Sequence, residues 1–171
     1  PLLAALEDAN LHGKEIHIVS LDLQRAYDSV EFWSSELAAR RLRLPEAFIQ
    51  LMREFDNNAS TSTRCPGGNT AFYPIERGMR QGDSLSPLRF ILWMDMLLCE
   101  WARQPHAYTF NSLSRSPACS IKAQAFVDDT LPLANSLEGI QLRVDTVCDF
   151  MDAHAVSIHP LKTFHIYLTP P

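Results

Sequence analysis

The run Ala125-Phe126-Val127-Asp128-Asp129-Thr130 constrains this chain more than any other. A short apolar segment of β type leads into two adjacent carboxylates, and apolar residues resume at Leu131 and Leu133. An earlier segment has the same shape: Ile16-His17-Ile18-Val19-Ser20-Leu21 leads into Asp22, with Asp28 beyond it. Acidic residues at the ends of two separate strands are the donors a divalent cation needs. Magnesium takes hard oxygen ligands, usually one or two carboxylates completed by substrate phosphates. Neighbouring strands lie about 4.8 Å apart, so carboxylates that end adjacent strands can share an ion. That arrangement suits phosphoryl transfer by two metals. Taken alone, Asp128-Asp129 reads first as turn chemistry, because Asp bonds its own backbone and tolerates left-handed geometry. The surrounding residues have to decide.

The chain has 171 residues, 46% of them hydrophobic and 20% charged, which is enough for one globular domain with its own core. A net charge of −5 argues against a free-standing nucleic-acid binder, which carries a basic face. Cys65, Cys99, Cys119 and Cys148 form no Cys-x-x-Cys pair, so a zinc knuckle is not expected and the thiols read as reduced and intracellular. The six histidines show no metal-binding spacing. The apolar stretch from Leu88 to Leu98 holds Arg89 and Asp95 and is too short to span a bilayer. With no secretory leader, the expected location is intracellular, nuclear or cytoplasmic, with no membrane partner. The start at Pro1, without an initiator Met, points to a fragment of a longer protein.

Periodicity and punctuation predict the elements. Residues 3–10 read as a helix and 15–22 as a strand. Asp28 with Glu31 resembles a capping box for a helix to about Arg41. Another helix starts at Pro45-Glu46, with Phe48, Leu51, Met52 and Phe55 on one face. Residues 59–65 and 71–77 read as a hairpin around Gly67-Gly68. Ser86-Pro87 opens a buried helix to about Trp101. A polar loop is expected over 105–119 and a hairpin from Ile121 to Leu133, with Asp128-Asp129 at or near its turn. An amphipathic helix over 136–154 and a strand over 156–168 follow. The order gives an α+β fold, with helices packed on one face of a largely antiparallel sheet.

Four segments now stand in order. They are Asp22-Leu23-Gln24-Arg25-Ala26-Tyr27-Asp28, Arg77-Gly78-Met79-Arg80-Gln81-Gly82-Asp83-Ser84-Leu85-Ser86-Pro87, Ala125 to Thr130, and Leu161-Lys162-Thr163. Together they resemble motifs A, B, C and D of reverse transcriptases, above all those of non-LTR (LINE-type) retrotransposons. The second segment is the most specific and the fourth is weak by itself. The resemblance runs from about residue 15 to 168. It implies a polymerase palm, a ferredoxin-like or RRM-like antiparallel sheet with helices on one face. It also implies RNA-directed DNA synthesis, with an RNA template, a DNA primer and deoxynucleoside triphosphates as partners.

The same resemblance implies roles. Asp22 and Asp128 would ligate two Mg²⁺ ions, with Mn²⁺ as a substitute and the Leu23 carbonyl as a further ligand. Asp129 would be a supporting acid. Tyr27, five residues after Asp22, would be a steric gate that leaves no room for a 2′-hydroxyl, the alternative being a core aromatic packed on the sheet. Gln81 and Gly82 would contact nucleotide and template, although the glycine also suits a turn before Ser86-Pro87. Arg77 and Arg80 would meet phosphates or template, or are solvated. Lys162 would protonate the leaving pyrophosphate, or is an ordinary surface lysine. Pro160 departs from the family pattern beside it.

The resemblance further implies that residues 1–171 are a partial domain, a palm with a remnant of the fingers, without the N-terminal fingers and the thumb. Phosphate contacts supply most nucleic-acid affinity, so this piece alone should bind primer-template poorly. A catalytically inactive relic and an RNA-dependent RNA polymerase palm are the competing readings.

Overall fold

The computed structural model describes residues 1–80, 82–111 and 119–170. The chain divides into two compact units: Pro1–Gln24 with Met96–Pro171, and Arg25–Asp95.

The first unit is built on a four-stranded antiparallel sheet in the order β10-β1-β9-β8, from β1 (Ile16–Ser20), β8 (Ala123–Phe126), β9 (Asp129–Ala134) and β10 (Phe164–Leu168). β1 is buried on both faces, with Ile16, His17, Ile18 and Val19 all inaccessible. Its alternate residues Ile16 and Ile18 pack with Leu133 under Ala5 and Ala9 of helix α1 (Leu2–His12). Helix α6 (Leu137–Ala153) lies against β1 and β9, burying Ile140, Val147 and Met151. Gly13, with φ 59, closes α1 in the left-handed conformation that glycine adopts without strain. Ser136 caps α6 by accepting the Gly139 N–H at 3.1 Å. Arg143 is fully buried, and its guanidinium donates to the carbonyls of Gly139 and Pro105, each at 2.9 Å. Trp101 in turn donates its Nε1–H to the Arg143 carbonyl at 3.1 Å.

Pro132 interrupts the β1–β9 ladder. Paired residues are His17 with Ala134 and Ile18 with Leu133, and contact resumes as a bridge between Leu21 and Thr130. Proline has no N–H to donate, yet the register is the same on both sides of the gap.

The second unit carries α2 (Ala26–Ser29), α3 (Phe32–Arg41), α4 (Glu46–Asn57) and the first half of α5 (Ser86–Arg103). The helix expected from Asp28 to Arg41 is broken: Val30 and Glu31 are extended, and no side chain caps α3. The hairpin expected over 59–77 is two nested short ladders, β2 (Ser60–Thr61) with β5 (Tyr73–Pro74) and β3 (Arg64–Cys65) with β4 (Gly68–Asn69). In the first unit, the expected loop over 105–119 contains β6 (Tyr108–Thr109), which pairs with β7 (Ser120–Ile121). The last expected strand is cut by a 3₁₀ turn at Pro160–Lys162, because proline cannot continue a ladder. No helix among the described residues is long and apolar enough to cross a membrane.

One ion pair ties the second unit together. The buried Arg89 of α5 donates both Nη groups to Asp56 of α4, at 2.7 and 2.8 Å, and Nη2 also reaches Ser35 Oγ of α3 at 2.7 Å. Removing one partner of a buried pair strands a desolvated charge. Asp56→Ala is therefore expected to cost about 3–5 kcal/mol in urea unfolding; a loss below about 1 kcal/mol would mean that Arg89 finds water instead.

A second group titrates with the fold. The His17 ring stacks on His165 and on Tyr167, its Nδ1 lies 2.9 Å from His165 Nε2, and its Nε2 lies 2.6 Å from Glu15. Desolvation of the stacked ring, then the neighbouring His17, hold His165 below its ordinary pKa of 6.5. The unfolded chain takes up that proton first, so this contribution is complete above 6.5 and lost as pH falls through 6.5 toward the folded value. The urea midpoint should drop between about pH 7 and pH 5, and the drop should be smaller in His165→Phe; parallel profiles for the two proteins would contradict this.

Candidate active site

The carboxylates of the first unit are placed by strand register. The Leu21 N–H donates to the Thr130 carbonyl at 3.1 Å, so the next residue, Asp22, stands opposite Asp129. Opposite residues of an antiparallel ladder project on the same face, with Cβ atoms about 4.5–5.5 Å apart. Phe126 pairs with Asp129, which leaves Val127-Asp128 as a two-residue turn. Asp128 is thus the turn residue and Asp129 the first residue of β9, both exposed.

Turns of two residues need positive φ at their first position. Val127 supplies it, with φ 58. A β-branched residue is poorly suited to that region, and the left-handed conformation costs about 1–2 kcal/mol. Strain of this kind persists only where the surrounding structure over-determines it, and Asp128 follows Val127 directly in this turn.

Beyond β1 the chain finds new partners. The Asp22 carbonyl accepts the His159 N–H at 2.8 Å, and the Gln24 N–H donates to Ser157 at 2.8 Å. Leu23 is bridged to Ile158 between them. In an antiparallel ladder, residues bonded to a neighbour alternate with residues whose polar groups turn the other way. The Leu23 carbonyl therefore turns away from Ile158, toward the side of β9. After Ile158 the turn at Pro160–Lys162 sets Lys162 Nζ 3.4 Å from Asp22 Oδ2. The two side chains are 64% and 39% exposed, so the pair contributes under about 1 kcal/mol; its importance is placement. Thr163 Oγ1 donates to the His159 carbonyl at 3.0 Å and fixes the turn.

This donor set fits a divalent cation by its chemistry: hard oxygens from two adjacent strand ends and one turned-out carbonyl. Among the described residues no three His, Cys, Asp or Glu side chains close around one point.

The second unit holds the other expected site residues. Tyr27 lies on α2, half-buried, with its ring stacked on Phe90 at 4.9 Å between centroids. Phe90 is fully buried and packs on Trp93. The segment around Gly78 docks on the turn that carries Tyr27: Met79 N–H donates to the Tyr27 carbonyl at 2.7 Å, and Gly78 N–H to the Val30 carbonyl at 3.0 Å. Arg77 lies 3.8 Å from Glu31, an acidic partner within the same unit. Arg80 is exposed and lines a groove of about 280 Å³ with Leu51, Glu54, Phe55 and Asn58. Gly82 has φ 91, and a Cβ there would meet nothing within 4 Å among the described residues. Asp83 accepts the Leu85 N–H at 3.1 Å and sets the start of α5. Gln81 lies outside the described residues.

The fold thus brings Asp22, Leu23, Asp129 and Lys162 to one strand end, with Asp128 in the adjoining turn. Val127 and Gly78 were not singled out from the sequence, because the pairing that leaves a two-residue turn and the burial of Met79 are visible only in the fold.

The sequence profile described as "Reverse transcriptase (RNA-dependent DNA polymerase)" matches residues 2–169. The chain is 27% identical over 161 residues to the retrovirus-related Pol polyprotein from the type-2 retrotransposable element R2DM of Drosophila melanogaster, covering 94% of this chain and 15% of that protein. It is 31% identical over 169 residues to the Pol polyprotein from the type-1 retrotransposable element R2 of Nasonia vitripennis, covering 99% and 16%. The chain therefore spans about a sixth of the length of these relatives. Apo telomerase from Candida tropicalis superposes with a TM-score of 0.70 at 14% identity, covering 98% of this chain and 34% of that one. A likeness at that identity concerns the fold alone.

The strained turn is open to measurement. Asparagine tolerates left-handed geometry, so Val127→Asn is expected to raise stability by about 1 kcal/mol in urea unfolding. A loss of stability would show that the Val127 side chain, rather than its backbone, matters to the hairpin.

Proposed function

The chain belongs to the reverse transcriptase family, in the branch of the non-LTR retrotransposon polyproteins, and from that premise we propose that it is the palm of an RNA-directed DNA polymerase. The observation that carries this reading is the register that sets Asp22 opposite Asp129 with Asp128 in the turn beside them. Two Mg²⁺ ions, or Mn²⁺ in their place, bound by Asp22, Asp128 and the Leu23 carbonyl would lower the pKa of a primer 3′-hydroxyl and take up charge on the leaving pyrophosphate. Asp129 adds a carboxylate on the face of Asp22. Lys162 is already held at Asp22 by a turn that leaves its ammonium exposed. A proton delivered from it would let pyrophosphate leave as a weaker base.

In the second unit Tyr27 would exclude a 2′-hydroxyl from the sugar site, while Arg80, Gln81 and Gly82 would hold the incoming nucleotide and the template. Gly82 supports that role: among the described residues nothing lies within 4 Å of where its Cβ would be. The partners are an RNA template, a DNA primer and deoxynucleoside triphosphates, used inside the cell. Residues 1–171 would be the palm and part of the fingers.

Primer extension on an RNA template by the longest polypeptide that carries these residues tests the reading. Deoxynucleotide addition is expected, falling about a thousandfold in Asp22→Asn and in Asp128→Asn, the loss that several kcal/mol of charge stabilisation implies. No extension with either metal would leave a relic of the family. A preference for ribonucleotides would make it an RNA polymerase.

A further inference from the structure

We propose that Gly78 is a positioning residue for sugar selection: the strap Arg77-Gly78-Met79 sets the height of the helical turn that carries Tyr27, and only glycine lets it lie there. This inference rests on the reading of Tyr27 as a steric gate. Tyr27 sits on α2, a helix of four residues opened by the left-handed Arg25, with φ 49, and closed by the extended Val30. So short a helix has almost no internal hydrogen bonding to hold it in place. Its position is set from outside, by the stack of Tyr27 on Phe90 and by the two strap bonds from Met79 and Gly78 to the carbonyls of Tyr27 and Val30, at 2.7 and 3.0 Å. The bonds flank the gate residue and its turn.

Between these bonds the two backbones are in close contact. Gly78 has φ 92, and a methyl group on it would lie 2.7 Å from the Asp28 carbonyl oxygen, 2.9 Å from its Cα and 3.0 Å from its carbonyl carbon. Ordinary contacts begin at 3.4 Å, and all three atoms are backbone, so no side chain can swing aside. The strap or the turn must move. Both Gly78 and Met79 are buried, which bars a simple outward shift of the strap. The turn carrying Tyr27 is the part that yields. A gate works by excluding one oxygen atom, so a displacement of a few tenths of an ångström reaches the very property it controls.

The test compares incorporation of deoxynucleotides with that of ribonucleotides in the full-length polypeptide, as the ratio of the two kcat/KM values. Gly78→Ala is expected to lower the ratio about tenfold, as small misplacements of a positioning group do. Gly68→Ala, at φ 127 but with nothing within 4 Å of the added carbon, should leave the ratio unchanged. Tyr27→Val tests the gate itself. If the wild type extends primers and Tyr27→Val loses selectivity while Gly78→Ala keeps it, the strap inference falls and the gate stands. If Tyr27→Val keeps selectivity, or no primer is extended, the gate reading falls and the strap inference with it. Hydrogen exchange on the wild type needs no folded variant: the Gly78 and Met79 amides should exchange as slowly as buried helix amides. Exchange at the rate of an open loop would overturn the proposal.

Discussion

The pairing of β1 with β9 is the constraint on which the rest of the structure depends. β1 is covered on both faces and bonded on both edges, so a one-residue slip would exchange Ile16 and Ile18 for His17 and Val19 on the face packed under α1. Pro132 removes a donor from the middle of the ladder, yet the bridge at Leu21 and Thr130 restores the same register beyond it. That register places Asp22. The β8–β9 pairing, which leaves two residues for the turn, places Asp128. The acidic end of the sheet is thus a consequence of core packing some distance away, and the exposed carboxylates need contribute nothing to stability.

The two ends of the site are built on opposite terms. Around Asp22 the backbone is well bonded, by Thr130 on one side and by Ser157 and His159 on the other. Around Asp128 the backbone is strained, and Val127 stands in a conformation that suits few side chains. Relaxing the turn would change the direction in which Asp128 points. A satisfied strand end and a strained turn thus adjoin at the candidate site.

Much of this was legible in the residues. The apolar segments that end in Asp22 and Asp128, the Ser86-Pro87 helix start and the amphipathic pattern over α6 follow from local chemistry, and local chemistry is what a sequence displays. What stayed hidden was tertiary. Asp28 and Glu31 have the spacing of a capping box, but the strap at Gly78 and Met79 bonds the carbonyls of Val30 and Tyr27 and holds the chain extended at Val30. That Asp129, the first residue of β9, continues the Leu21–Thr130 register while Asp128 falls in the turn could not be read from two adjacent carboxylates, because the pairing is with a strand distant in sequence. The interruption at Pro160 was visible as a departure in composition; that it delivers Lys162 to Asp22 depended on the ladder between Leu23 and Ile158.

Arg143 has a consequence for how this chain can vary. Its fork is shared between a carbonyl of its own helix and the carbonyl of Pro105. Its own carbonyl is tied to Trp101. The side chain therefore measures the distance from the end of α5 to α6, and the measurement is made in the buried interior. An added or deleted residue between Arg103 and His106 would carry the Pro105 carbonyl off the fork and leave a guanidinium in the core with half its partners. Lysine could not replace it, having no second arm. The connection after α5 is locked in length by one buried side chain, so related chains are expected to vary in length elsewhere.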